Sequence, residues 1–185
     1  VYEGKPLSFL STPGALDVGI ELHSTSKNFN MTGWRCGFVA GNALLVKAYG
    51  DVKDNSDSGQ FLAIQNAAAH ALRTPEVPVA IRTKYKRRLE KLVAALKQVG
   101  FACAMPGGTY FLYAKARVGA GDRSFANAEE ASTYLIHDQS VCCVPWDDAG
   151  AYLRFSVTYT AADEAAEDAL MAETVTRLKG LSLRF

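Results

Sequence analysis

The chain has 185 residues, 20 of them basic and 19 acidic, and 49% of it is hydrophobic, for a formal net charge of +1. That balance excludes a disordered tail, a nucleic-acid footprint and a polybasic membrane surface, while the length suffices for one substantial core or two modest ones. No apolar run approaches the roughly 20 residues of a membrane span, and the opening "VYEGKPLSF" has neither the charged head nor the apolar stretch of a signal peptide. Four cysteines (Cys36, Cys103, Cys142, Cys143) lie in apolar contexts without a CxxC pair. Buried thiols in a reducing, cytoplasmic setting are expected, not a disulfide framework or a zinc site.

Strand and helix periods alternate along the chain. "VGIELHS" (18–24) has the length and apolar content of a strand, and "WRCGFVAG" (34–41) reads as the next one. "ALLVKAYGDVKDN" (43–55) predicts a short helix that gives way to the polar loop "DNSDSG", and an Ala-rich helix spans 61–72. After "TPEVP", Tyr85, Leu89, Leu92, Val93, Leu96 and Val99 recur at spacings of three and four. That pattern is a long amphipathic helix stopped by Gly100, and its opening near Pro75 marks the expected boundary between two lobes. "FACAM" and "TYFLYAKA" (109–116) read as strands on either side of a Pro-Gly-Gly turn. A helix follows over 127–138, with Asn127 as its N-cap. "SVCCVP" and "YLRFSVTY" read as strands, and a helix closes the chain. The alternation predicts an α/β or α+β architecture.

The loop "HSTSKNFNMTGWRCGF" (23–38) carries the chemistry. A lysine in a loop is ordinarily a solvated cation, but three features of Lys27 point elsewhere. It follows the carboxyl end of an apolar strand, where open α/β sheets place ligands. Ser24, Thr25 and Ser26 set short hydroxyl donors beside it. Arg35 lies at an apolar strand, where an unpaired guanidinium is costly unless an anion meets it. Hydroxyls with an arginine fork describe a phosphate cradle, and a neighbouring amine describes a carbonyl nucleophile. Phosphate and a Schiff-base lysine together point to pyridoxal phosphate. Arg154, in "YLRFSVT", is a second cation among apolar residues; an internal ion pair or a ligand carboxylate would satisfy it.

The run "HSTSKNFNMTGWRCGFVAGN" closely resembles the lysine loop of the class I/II aminotransferases, fold-type I pyridoxal-phosphate enzymes. "PGALDVGIELHS" upstream and "DNSDSGQFLAIQ" downstream look most like the LL-diaminopimelate aminotransferase group. The resemblance implies Lys27 as the Schiff-base lysine and proton carrier, and Ser24, Ser26 and Arg35 as cofactor contacts. It implies Arg154 as the clamp on the substrate α-carboxylate, and a homodimer with active sites at the subunit interface. The loop "DNSDSG" is as readily an ordinary solvated turn; if it crosses to a neighbour, Asn55 and Ser58 are candidate contacts for the far end of diaminopimelate.

The resemblance also implies a division of the chain: 1–74 as the end of the large cofactor domain and 75–185 as the small C-terminal domain. The chain then corresponds to a C-terminal half, because residues 1–26 lack the aspartate, tyrosine and glycine-bearing helix start that precede the lysine in such enzymes. On its own such a half is expected to be a poor catalyst, since the electron sink needs that aspartate. A C–S lyase, an aspartate- or alanine-type aminotransferase, and a silent interaction module are the other readings. His23, His70 and His137 share no metal-like spacing; Trp34 and Trp146 read as packing residues, and the carboxylates of "PWDDAG" as solvated.

Overall fold

The computed structural model describes residues 1–184. Two compact units divide the chain, one formed by Val1 with Glu3–Thr83, the other by Tyr2 with the residues from Lys84 onward. The first unit contains α1 (Ala15–Val18), β1 (Ile20–Ser24), α2 (Thr25–Asn28), β2 (Gly37–Gly41), α3 (Ala43–Asp54), α4 (Leu62–Leu72) and the first turns of α5 (Glu76–Gln98). Strands β1 and β2 pair antiparallel, from Ile20 opposite Gly41 to Ser24 opposite Gly37. The loop between them is therefore closed at its base by the last ladder pair. Gly41 sits at φ +142°, and a Cβ there would collide with the Gly19 carbonyl oxygen, so the close return of the chain requires glycine. Asn42 then caps α3, its Oδ1 accepting from the Leu44 and Leu45 amides at 3.0 and 3.1 Å. Met31, Cys36 and Ala68 form the core of this unit, with Phe29, Ile64, Ala67 and Ala71 packed against them.

The second unit continues α5 and adds β3 (Phe111–Lys115), β4 (Gly119–Ala120), β5 (Arg123–Ser124), α6 (Ala128–Gln139), β6 (Val144–Trp146), β7 (Tyr152–Ser156), α7 (Glu164–Lys179) and β8 (Leu183–Arg184). Its main sheet has the order β3-β7-β6 and a smaller one the order β5-β4-β8. Every strand pair among the described residues is antiparallel. Alternation along β3 and β7 sends Leu112, Ala114, Leu153 and Phe155 into one core with Leu89, Leu92 and Leu96 of α5, Leu135 of α6, and Met171 and Leu178 of α7.

Several expectations shift. The division between units falls inside α5, between Thr83 and Lys84; the buried residues of that helix all lie from Arg88 onward. Strand β2 begins at Gly37, so Arg35 precedes the strand and adopts a left-handed backbone at φ 52°. "FACAM" pairs with no strand among the described residues, because Phe101 folds back under the end of α5, its amide donating to the Leu96 carbonyl at 3.0 Å. "SVCCVP" is a strand only from Val144, since the Val141 amide is taken by the Leu135 carbonyl at the end of α6. Cys142 is exposed, whereas Cys36 and Cys143 are buried and Cys103 half-buried; all four are free thiols.

Candidate active site

Residues 24–36 form a knot tied by their own polar groups. Ser24 ends β1 and caps α2, its Oγ accepting from the Ser26 amide at 3.1 Å. Thr25 is fully buried, and both its amide and its hydroxyl donate to the Cys36 carbonyl, at 3.1 and 2.9 Å. Thr32 Oγ1 donates to the Ser26 carbonyl at 2.9 Å. Arg35 Nη1 donates to the Thr32 carbonyl at 3.0 Å, and Gln60 Nε2 donates to the Arg35 carbonyl at 3.2 Å. Each bond in this set has a backbone group at one end at least, and Lys27 and Arg35 are exposed. Met31 and Cys36 supply the apolar anchor against α4. Arg35 holds a left-handed conformation without being glycine, a strain that persists only where the surroundings fix it and that clusters at functional sites.

Next to the loop, Glu21 has its carboxyl held below the usual range, first by the Ser8 hydroxyl (2.6 Å), then by the Leu10 amide (3.1 Å) and by His23 (3.0 Å). His23 also stacks on Phe38 with ring centroids 4.8 Å apart. The histidine is thus committed to structure, as expected.

Arg154 lies at the centre of the exposed face of the main sheet. Its direct partners are Tyr113 on β3 and Val144 on β6. The guanidinium carbon lies 4.5 Å from the Phe111 ring centre and 4.9 Å from that of Trp146. The Nε is buried with no hydrogen-bond partner, and no ion pair among the described residues reaches this arginine. Among the described residues no internal salt bridge satisfies it. Asn55 and Ser58 follow α3: Asn55 Nδ2 donates to the Asp51 carbonyl at 2.7 Å, closing the helix, and Ser58 is exposed. Asp147, expected to be solvated, instead receives the Ala128 and Glu129 amides at 2.8 and 3.2 Å, capping α6 from a distant loop. The roles of Thr25, Thr32, Gln60 and Asp147 leave no local pattern in the sequence, because each meets a backbone group 6 to 25 residues away.

A strand-end loop carrying an exposed lysine and arginine, with mixed helix and strand throughout, is the α/β arrangement of fold-type I aminotransferases. The family model for aminotransferase class I and II matches residues 2–172, and the chain belongs to that family. It is 49% identical over its whole length to an LL-diaminopimelate aminotransferase from Methanocaldococcus jannaschii and 48% identical to one from Methanococcus maripaludis; in each case it covers 46% of the relative. The apo form of BacF from Bacillus subtilis superposes on 98% of the chain with a TM-score of 0.83 at 30% identity, over 47% of that protein. The chain thus spans about half the length of the relatives it matches. Enzymes of this class are generally pyridoxal-phosphate-dependent and act on amino acids and 2-oxo acids. No helix among the described residues is long and apolar enough to cross a membrane.

The residues present fit the phosphate end of such a cofactor. Arg35 commits one nitrogen to Thr32, which leaves the rest of its fork for acceptor oxygens. Ser24 accepts from Ser26, so its own hydroxyl proton remains to donate.

Proposed function

We propose that this chain is the C-terminal half of a pyridoxal-phosphate-dependent aminotransferase that exchanges an amino group between LL-diaminopimelate and a 2-oxo acid such as 2-oxoglutarate. The observation that carries the reading is the loop 24–36, bonded through its backbone so that Lys27, Ser24 and Arg35 are presented together. Residues 1–74 serve as the end of the large cofactor domain and 75–185 as the small domain. The substrate class follows the names of the relatives.

Ser24 and Arg35, with Ser26 beside them, bind the cofactor phosphate, and the positive fork neutralises part of its charge. Pyridoxal phosphate, when bound, supplies an aldehyde for the lysine and an electron-withdrawing ring that stabilises negative charge at the substrate α-carbon. Lys27 would hold the cofactor through its aldehyde, and its amine would carry a proton at the substrate α-carbon. Arg154 holds the α-carboxylate, fixing the direction of the α-hydrogen. Asn55 and Ser58 take the distal ammonium and carboxylate of diaminopimelate in a cytoplasmic homodimer. Residues 1–26 lack the pyridinium-side contacts that the resemblance implies, and the proposed activity is that of a polypeptide of the relatives' length, about twice that of this chain.

Borohydride reduction of the loaded full-length enzyme, followed by peptide mapping, is expected to place the pyridoxyl group on Lys27. A label on Lys47, Lys53 or Lys84 would refute the assignment. In the same preparation kcat/KM should favour LL-diaminopimelate over alanine and aspartate, because a site with buried polar groups rejects donors that leave them unpaired, by about a hundredfold or more. A tenfold preference for either shorter donor would overturn the substrate reading.

A further inference from the structure

The exposed face of the main sheet sets aromatic side chains around Arg154, with Lys115 at its edge, 4.9 Å from the Tyr152 ring centre. Strand β7 lies between β3 and β6, and each neighbour contributes a ring to Arg154 from a diagonal position. Phe111 stands opposite Ser156 on one side, and Trp146 opposite Tyr152 on the other. Because residues two apart share a face of a pleated sheet, Phe111, Tyr113, Trp146, Tyr152 and Arg154 all project the same way. The two rings approach the guanidinium from opposite corners at 4.5 and 4.9 Å. Tyr113 braces the tryptophan edge-on at 6.0 Å and Tyr152 edge-on at 6.2 Å.

We propose that Phe111 and Trp146 are positioning residues for Arg154, closing both faces of its guanidinium so that a carboxylate is received only along the edge formed by Nη1 and Nη2. The inference rests on the reading of Arg154 as the carboxylate clamp. Three observations lead to it. Both rings lie against the guanidinium carbon, and rings hold a cation through their quadrupoles without using any of its hydrogen bonds. The Nε is sealed from solvent and has no protein acceptor, so a side-on pair through Nε and one Nη is closed to a ligand. No protein carboxylate competes for the two terminal nitrogens among the described residues. What remains is an end-on, coplanar, bidentate contact, which fixes the carboxylate plane and with it the rotation about the bond to the α-carbon. The same pincer works for both half-reactions, since amino acid and 2-oxo acid carry the same carboxylate. Trp146 is thus more than the packing residue its sequence context suggests.

The test uses the full-length holoenzyme with propionate as a competitive inhibitor that reads the carboxylate site alone. Trp146→Leu and Phe111→Leu are expected to raise the propionate Ki, and KM for both amino donor and 2-oxo acid, by about tenfold each, the range of a partly desolvated cation–π contact. Trp146→Phe, which restores a ring, should stay within about threefold of wild type, an outcome that loss of apolar packing alone would not produce. Cofactor content should be unchanged in all three. If Arg154→Gln raises Ki while the leucine variants leave it untouched, the pincer is refuted and the clamp stands. If Arg154→Gln leaves Ki unchanged, the clamp itself falls and the pincer with it. Should Trp146→Leu give no folded protein, Trp146→Met, similarly long and ringless, takes its place with the same expectation.

Discussion

The Glu167 carboxylate on α7 is almost sealed from solvent, yet three cations converge on it. Arg87 donates to both of its oxygens at 3.0 Å, Arg88 Nε to one at 2.6 Å, and Lys91 stands 3.5 Å away. Arg87 first, then Arg88, hold its pKa down to about 2 against the desolvation that opposes them. The folded value lies below the unfolded value of 4.5, so this contribution to stability is complete above that pH and is lost as pH falls towards 2. Arg88 is equally buried and also donates to the carbonyls of Val157 and Tyr159, just past β7. Glu167→Ala should therefore cost about 3–5 kcal/mol, since it strands a buried guanidinium. Urea titrations at neutral pH and at pH 3 check this: wild type should weaken in acid by more than the variant does. At this scale Lys27, Arg35 and Arg154 could be singled out from the sequence because cations among hydroxyl and apolar residues call for an anion. Glu167 and Thr25 were not, because their partners come from segments that only the fold brings near.

Element boundaries were legible where a period runs long enough to be unambiguous. Helix α5 is one such case, with its apolar positions at three and four ending at Gly100. That glycine adopts φ +82°, and the Phe101 amide bonds back to Leu96, a left-handed helix terminus. "FACAM" and "SVCCVP" were misread for a shared reason: a short apolar run is as compatible with a buried turn as with a strand. Both runs leave the end of a helix, so their first amides go to helix carbonyls and not to a ladder. Strands β4, β5 and β8, two residues each, are too short to carry any period. The two helix ends make opposite predictions. Gly100→Ala places a Cβ in a left-handed backbone and should destabilise by about 1 kcal/mol. Ser140, at φ 51° after α6, already bears that cost, so Ser140→Gly should be neutral or stabilising. Denaturation midpoints of the two variants, moving in opposite directions, would establish both assignments.

Among the described residues the main cores of the two units differ greatly in size. The second unit buries leucines from α5, β3, α6, β7 and α7 together, whereas the first rests on Met31, Cys36 and Ala68. Leu7, Val18, Leu22, Leu44, Val52, Phe61 and Leu62 of the first unit stay exposed. Amide exchange should accordingly be slowest from Leu89 to Leu96 and in β3 and β7, and faster by about two orders of magnitude or more in α3 and α4, if opening follows the buried apolar contacts. Uniform protection across both units would overturn that ranking. The division between the two compact units falls inside one uninterrupted helix, α5. Tyr2 adds a consequence of its own. It belongs to the second unit, where its amide donates to the Gly107 carbonyl at 2.9 Å and its hydroxyl to the Thr109 carbonyl. The residues from Glu3 to Thr83 thus lie between two positions, Tyr2 and Lys84, that both belong to the second unit. In polymer terms, lengthening such a segment costs only about 0.6 kcal/mol per doubling. The loop 24–36 therefore sits in a segment whose surface turns can gain or lose residues over generations at small cost.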